Sequence, residues 1–299
     1  MSAPRTQAFV FIKPHANTEA TQALVKATLT AKGIKIISEG SIASEKIDSD
    51  KLIDNHYYAI ASKATLLKPK DLNVPADKFM ATFGLEWTEA LEKGVCYNAM
   101  DACEHLGLDA AELNHVWQTA ETVKFGGGFY CGRIEVEGKD PVYVFNPFFM
   151  TMRAKFTAPG LAIYYYVVEF SPSELSWADF RGKVLGPTSL SDAPADAIRG
   201  LILSQWEALG LKGKPNTSDN GVHASASPFE GLAERMNWMG AKLEVPLLSS
   251  TYIYTYIYTY IPYTYICIYI AARTRPPLPQ LTYPHSFYTV SFELDGSQA

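Results

Sequence analysis

Five consecutive apolar residues, Ala8-Phe9-Val10-Phe11-Ile12, stand near the start of the chain and stop at Lys13-Pro14. A strand with this pattern has no polar face. It fits a sheet position that is covered on both sides. Pro14 cannot donate to a ladder, so the strand ends there. A second run, Leu161 to Phe170, is richer still in β-branched and aromatic residues and carries the strongest strand signal in the sequence.

Between these two runs the punctuation is helical at first. Asn17 can cap a helix, Ala20, Leu24, Ala27 and Ala31 recur at helical spacing, and Gly33 suits its end. Ile34-Lys35-Ile36-Ile37 opens another strand, and Asp50 to about Ala61 reads as another helix. The order strand–helix–strand–helix predicts an α/β or α+β layer arrangement. Residues 64–157 are less regular. Helices are expected near 77–93 and 109–121, the second capped by Asp109. Residues 129–137 and 142–149 flank a turn at Gly138 and read as a hairpin. Further on, helices are expected from Ser173 and over 194–209, and Asn220 to Ala224 is strand-like. Ser227-Pro228-Phe229-Glu230 then matches a capping box, with Phe229, Leu232, Ala233 and Met236 as the apolar face of the helix it opens.

Composition excludes several classes. A net charge of −5 with mixed signs gives no basic footprint for nucleic acid. The start of the chain has no apolar stretch of signal-peptide type, and residues 251–270 are too polar for a membrane span. The expectation is therefore a cytoplasmic protein without a membrane or nucleic-acid partner. Cys96, Cys103, Cys131 and Cys267 form no CxxC pair and are expected to be reduced thiols.

His223 carries the chemistry. Gly221 allows close backbone approach beside it, and Ser225 and Ser227 alternate with it along an extended strip. Glu230 and Glu234 lie one turn apart on the following helix, and either can orient the ring. An imidazole held by a carboxylate through one nitrogen offers the other as a nucleophile. Phosphate chemistry also needs cations and donors, for which Lys13, Arg181, Lys183, Arg199 and Thr188 are candidates. Gly126-Gly127-Gly128 lacks the context of a phosphate loop and reads as a hairpin entry. Cys103, His105 and His115 fit no zinc spacing, so no bound metal is expected from them. Trp87 and Trp117 sit within helical patterns and read as core anchors.

The ordered set Phe11-Ile12-Lys13-Pro14, Leu185-Gly186-Pro187-Thr188, Ile198-Arg199-Gly200 and Asn220-Gly221-Val222-His223-Ala224-Ser225-Ala226-Ser227, with Glu234 beyond, resembles the nucleoside diphosphate kinase family. The resemblance covers residues 7–63 and 158–240. It implies a ferredoxin-like α/β (α+β) sandwich with an antiparallel sheet, built from 1–63 and 158–244 and interrupted by a mixed α/β insertion at 64–157. It implies transfer of the terminal phosphate of ATP or another nucleoside triphosphate to a nucleoside diphosphate through phospho-His223. Ser225 and Glu234 would hold that ring. Lys13, Tyr57, Thr188, Arg199 and Asn220 would bind nucleotide, with Arg181 and Lys183 standing in at the phosphates. Mg2+ would arrive with the nucleotide, and a homo-oligomer would be the assembly. A catalytically weak or inactive nucleotide-binding or scaffold module, using the insertion as a partner surface, is the alternative. The sequence departs from the family at His15, where an aspartate is usual, and at Gly182, where an arginine is usual.

Residues 245–299 form a low-complexity tail. Within it, 251–266 cycle through Thr, Tyr and Ile, whose codons can all be drawn from one alternating purine–pyrimidine repeat. We read this tail as a translated non-coding repeat. Sequencing the spliced transcript is expected to return messages that lack it; a repeat present in every message would overturn the reading.

Overall fold

The computed structural model describes residues 5–242, together with the backbone of two later strands. In chain order, β1 (Thr6–Ile12), α1 (Glu19–Ala31) and β2 (Lys35–Ala43) come first. They are followed by the short helices α2 (Ser44–Ser49), α3 (Leu52–His56) and α4 (Tyr58–Ala61) and a π-helical turn at Ser62–Leu66. Next are α5 (Ala76–Phe83), α6 (Trp87–Glu92), β3 (Cys96–Asn98), α7 (Ala99–Leu106) and α8 (Ala110–Gln118). Then come β4 (Glu121–Gly126), β5 (Phe129–Ile134), β6 (Val142–Phe145), α9 (Phe148–Thr157) and β7 (Ala162–Phe170). The run closes with α10 (Trp177–Asp179), a π-helical turn at Phe180–Leu185, α11 (Ile198–Gln205), β8 (Val222–Ala224) and α12 (Pro228–Met239). Separately, β9 (Ile253–Tyr260) and β10 (Tyr263–Ile270) pair as a two-stranded sheet; the rest of the tail from 245 lies outside the described residues.

The fold is mixed α/β. One four-stranded sheet has the order β2-β7-β1-β8, and every pair in it is antiparallel. As expected from its unbroken apolar run, β1 is interior to this sheet, between β7 and β8. Its two faces enter different cores. Ala8, Val10 and Ile12 join Val25, Leu29, Ile198 and Ile202 on one side, while Phe9 and Phe11 join Ile47, Ile53, Phe156 and Trp238 on the other.

A second four-stranded sheet, in the order β3-β6-β5-β4, is drawn from residues 96–145. It is mixed, because β3 runs parallel to β6 while β5 is antiparallel to both β4 and β6. The hairpin expected around Gly138 is present. Gly126–Gly128 turns β4 into β5, with Gly128 at φ +63°. Trp117 packs so closely on Gly132 that a Cβ there would lie 2.4 Å from its ring. Asn146, itself at φ +48°, donates to the carbonyls of Ile60 and Gly128 at 2.9 and 2.8 Å. That side chain ties the exit of this sheet to α4 and to the turn between β4 and β5.

Several expectations are corrected. Thr18, not Asn17, caps α1, accepting from Thr21 N at 3.1 Å. Asn17 is instead drawn to the start of β7, donating to Ala162 O at 2.9 Å. The helix expected over 50–61 is broken, because Lys51 adopts a left-handed φ of +56° and the helical ladder restarts at Tyr58. The 77–93 helix splits at Gly84, also left-handed. Residues 148–157, read partly as a strand, form α9. On α12 the buried face is Gly231, Glu234 and Trp238, and Phe229 is exposed. The proline and serine at its start set its phase, so that face turns toward β1.

α9 is fixed to the first sheet's helices by a buried ion pair. Arg153 Nε lies 3.0 Å from both carboxylate oxygens of Asp54, Arg153 also bonds Asp48, and Thr65 Oγ1 donates to Asp54 at 2.5 Å. Asp54 is fully buried and Arg153 nearly so. Removing one member strands the other's charge, which destabilises by about 3–5 kcal/mol. Arg153→Ala is therefore expected to lose about that much in a denaturant titration.

Candidate functional site

The site grows from the β1–β8 pairing. β8 lies antiparallel to β1 with Phe11 opposite His223, Val10 opposite Ala224 and Ile12 opposite Val222. Lys13 N continues the contact, donating to Gly221 O at 2.9 Å. Gly221 enters β8 at φ +85°, a conformation that favours glycine, and a Cβ there would press on Ile202 at 2.9 Å. The Phe11 ring stacks on the His223 ring at 4.8 Å between centroids.

α12 supplies the carboxylate. Ser227 accepts from Glu230 N at 3.1 Å, and Pro228 occupies the first turn. The Glu230 side chain reaches back to Ala226 N at 2.5 Å and so serves the helix start rather than the histidine. Gly231 passes so close to β1 that a Cβ would sit 2.5 Å from Gln7 O. Asn237 Nδ2 donates to Leu52 O at 2.8 Å and fixes the far end of the helix. In this pose Glu234 meets His223 Nε2 at 2.6 Å through Oε1 and accepts from Ser225 Oγ at 2.6 Å through Oε2. Ser225 Oγ in turn accepts from Phe9 N at 2.9 Å, which fixes its rotamer.

Two donors thus converge on a carboxylate that is only 5% exposed. Burial raises the Glu234 carboxyl above its ordinary range, while His56 and the Ser225 hydroxyl pull it back. Burial lowers His223 below the ordinary histidine range; the nearby Glu230 opposes this, and Lys13, Arg199 and Arg181 add to it. The ring is therefore neutral. A carboxylate can only accept, so the proton sits on Nε2 and the lone pair on Nδ1. No described residue bonds Nδ1, and the side chain retains 18% exposure.

His56 forms the back wall. Its ring meets His223 edge-on at 4.5 Å, its Nδ1 accepts from Trp238 Nε1 at 3.3 Å, and that same nitrogen lies 3.6 Å from Glu234 Oε1. Burial, then the neighbouring His223, lowers its pKa. The sequence reading passed over both His56 and Trp238. The signal for Trp238 was present, since it stands one helical turn beyond Glu234.

The other expected residues divide into groups. Lys13 and Tyr57 line a cavity of about 260 Å3 with His15, Lys155, Phe156 and Asp219. Burial, then Arg199, brings Lys13 down to about 8. Its ammonium donates to Ser218 O at 3.0 Å. Lys155 and Asp219, paired at 2.8 Å, were not anticipated. Asn220 is buried, and its Oδ1 has no hydrogen-bond partner among the described residues. His15, in the place of the usual aspartate, accepts from Gly221 N at 3.2 Å. Arg199 is buried and committed to backbone carbonyls, Gly186 O at 2.7 Å and Val222 O at 2.9 Å. Burial and Arg181 lower it to about 10. Thr188 is exposed, and Lys183 is exposed and paired with Asp179 at 2.8 Å. The structure does not gather these last two around His223 by any hydrogen bond among the described residues.

No family model matches the chain, and no curated protein matches it. Among solved structures it is similar to a nucleoside diphosphate kinase from Encephalitozoon cuniculi, with 13% identity over 81% of this chain and 93% of that one and a TM-score of 0.38. It is similar to an NDP kinase from Pyrobaculum aerophilum, with 18% identity, 79% and 96% coverage and a TM-score of 0.37. It is also similar to the Aquifex aeolicus nucleoside diphosphate kinase, with 12% identity, 79% and 96% coverage and a TM-score of 0.35. Likeness at this level assigns no activity.

Two histidines held neutral by burial make stability depend on pH. The unfolded chain binds their protons below about pH 6.5, and the folded chain does not. Stability is therefore full above that pH and falls as the solution is acidified toward the lowered folded values. The denaturant midpoint is expected to drop between pH 7.5 and pH 5, and the drop should be smaller in His56→Gln.

Proposed function

We propose that this protein moves the terminal phosphate of a nucleoside triphosphate to a nucleoside diphosphate through a phosphorylated His223. One observation carries the reading: Glu234, itself held by Ser225, takes the Nε2 side of the ring and leaves Nδ1 as the unbonded nucleophile. In the first half-reaction the Nδ1 lone pair forms the N–P bond at the terminal phosphorus. The bond from that phosphorus to the bridging oxygen breaks, and the diphosphate leaves with its electron pair. The Nε2 proton stays on the ring, where the Glu234 charge stabilises the resulting imidazolium. A second diphosphate reverses the step. Magnesium enters as part of the triphosphate substrate and belongs to no residue of the chain.

Lys13 and Tyr57 would bind the nucleotide from the cavity they line. Asn220 would use its unpartnered Oδ1 to accept from the sugar. Arg199 and Arg181 would contribute mainly charge, which already reaches His223 in the free protein. Thr188 and Lys183 would need to turn toward the phosphates. The strand order β2-β7-β1-β8, all antiparallel, supports a ferredoxin-like sandwich made from the outer segments of the chain, with residues 64–157 as the interruption.

A second reading has one specific observation in its favour. Arg199 already spends its guanidinium on backbone carbonyls, and Gly182 offers no cation in compensation. That arrangement suits a nucleotide-binding scaffold with little turnover. Tight nucleotide binding without phosphate exchange would favour it. Incubation with γ-labelled ATP is expected to leave an acid-labile, base-stable label on the wild-type chain and none on His223→Ala. An unlabelled wild type, or equal labelling of the variant, would overturn the proposal.

A further inference from the structure

We propose that His56, His223 and Glu234 also form a binding site for a divalent transition-metal ion of the zinc class, and that the occupied site is a switched-off state of His223. One ring nitrogen from each histidine and a carboxylate oxygen of Glu234 lie within 4.8 Å of one another. The side chains are 5%, 18% and 6% exposed. Two imidazoles and one carboxylate are a donor set that zinc takes readily, with an open fourth position for water. Magnesium requires oxygen ligands in octahedral array and is a poor competitor here.

The spacing brackets what a tetrahedral ion needs. Ligands about 2.0–2.1 Å from zinc stand about 3.3 Å apart. Glu234 Oε1 is 2.6 Å from His223 Nε2 and 3.6 Å from His56 Nδ1, so a small shift of one carboxylate evens the two. The outer contacts are also present. Ser225 Oγ holds the second Glu234 oxygen, and Phe11 and Trp238 pack on the two rings.

Binding exchanges the Nε2 proton of His223 for the metal and releases that proton to solvent. At His56 Nδ1 the metal displaces the Trp238 indole N–H, which sets a limit on affinity. The consequence for chemistry rests on the phosphotransfer reading. With Nε2 bound to a dication and Glu234 occupied as a ligand, the Nδ1 lone pair is less nucleophilic, and no free carboxylate faces the ring.

Zinc binding by the full chain, without nucleotide, is measured by competition with a chromogenic chelator, and cobalt(II) is added separately for its absorption spectrum. One tight equivalent is expected. His56→Gln and Glu234→Gln should each weaken zinc binding by more than about tenfold. Cobalt should give an intense four-coordinate band without thiolate charge transfer. Unchanged affinity in both variants, or a thiolate band in the wild type, would overturn the site; the wild-type spectrum decides even if a variant fails to fold. Labelling by γ-labelled ATP should fall on zinc addition and return with a chelator. A chain that binds zinc through these residues but takes no label in its absence refutes the phosphotransfer reading and leaves the site standing.

Discussion

Everything around His223 is registered against β1. This strand is apolar on both faces, so the sheet must cover it on both edges and the helices must cover it above and below. β7 fixes one edge over the full length of β1, and β8 fixes the other for only three residues. Those three residues hold the histidine. The ring is placed by the Phe11–His223 register rather than by a long strand of its own. The close crossing of α12 at Gly231 then sets how near the carboxylate comes. A one-residue slip in β8 would turn the ring to the opposite face and away from Glu234.

Much of this was legible in the sequence because local rules suffice for it. An unbroken apolar pentapeptide that runs into Lys13-Pro14 fits an inner strand that stops. Ser227-Pro228-Phe229-Glu230 fits a helix start, and Glu234 then falls two turns in. The choice between Glu230 and Glu234 was not legible locally. Both lie on the same helix, and only the Gly231 contact with β1 decides which one faces the ring. The exposed position of Phe229 has the same cause: burial on α12 follows the glycine and the glutamate, not hydrophobicity alone.

The hydrogen bonding of Arg199 was not legible in the sequence, and the reason is physical. Arg199 pairs with carbonyls that belong to Gly186 and Val222, far apart in sequence, so no spacing rule exposes the commitment. The back wall was missed because His56 acts through its ring contacts with Phe11, His223 and Trp238, each on a different element. Neutrality of the two rings is likewise a product of burial, which a motif does not record.

One contact in the second sheet has an architectural meaning. Asn146 bonds the carbonyl of Ile60, so the chain leaves the first sheet's helices and comes back to them at almost the same point. α9 is the piece that this closure positions, and it faces two ways. Its Arg153 is locked to Asp54 and Asp48, and its Lys155 faces Asp219 beside Lys13. Its Phe149 and Met150 are buried in one core with Ala61, Ala64, Val142 and Val144. The second sheet is therefore the far side of the support on which the wall of the cavity rests, and a change in its packing is carried to Lys155 through a single helix.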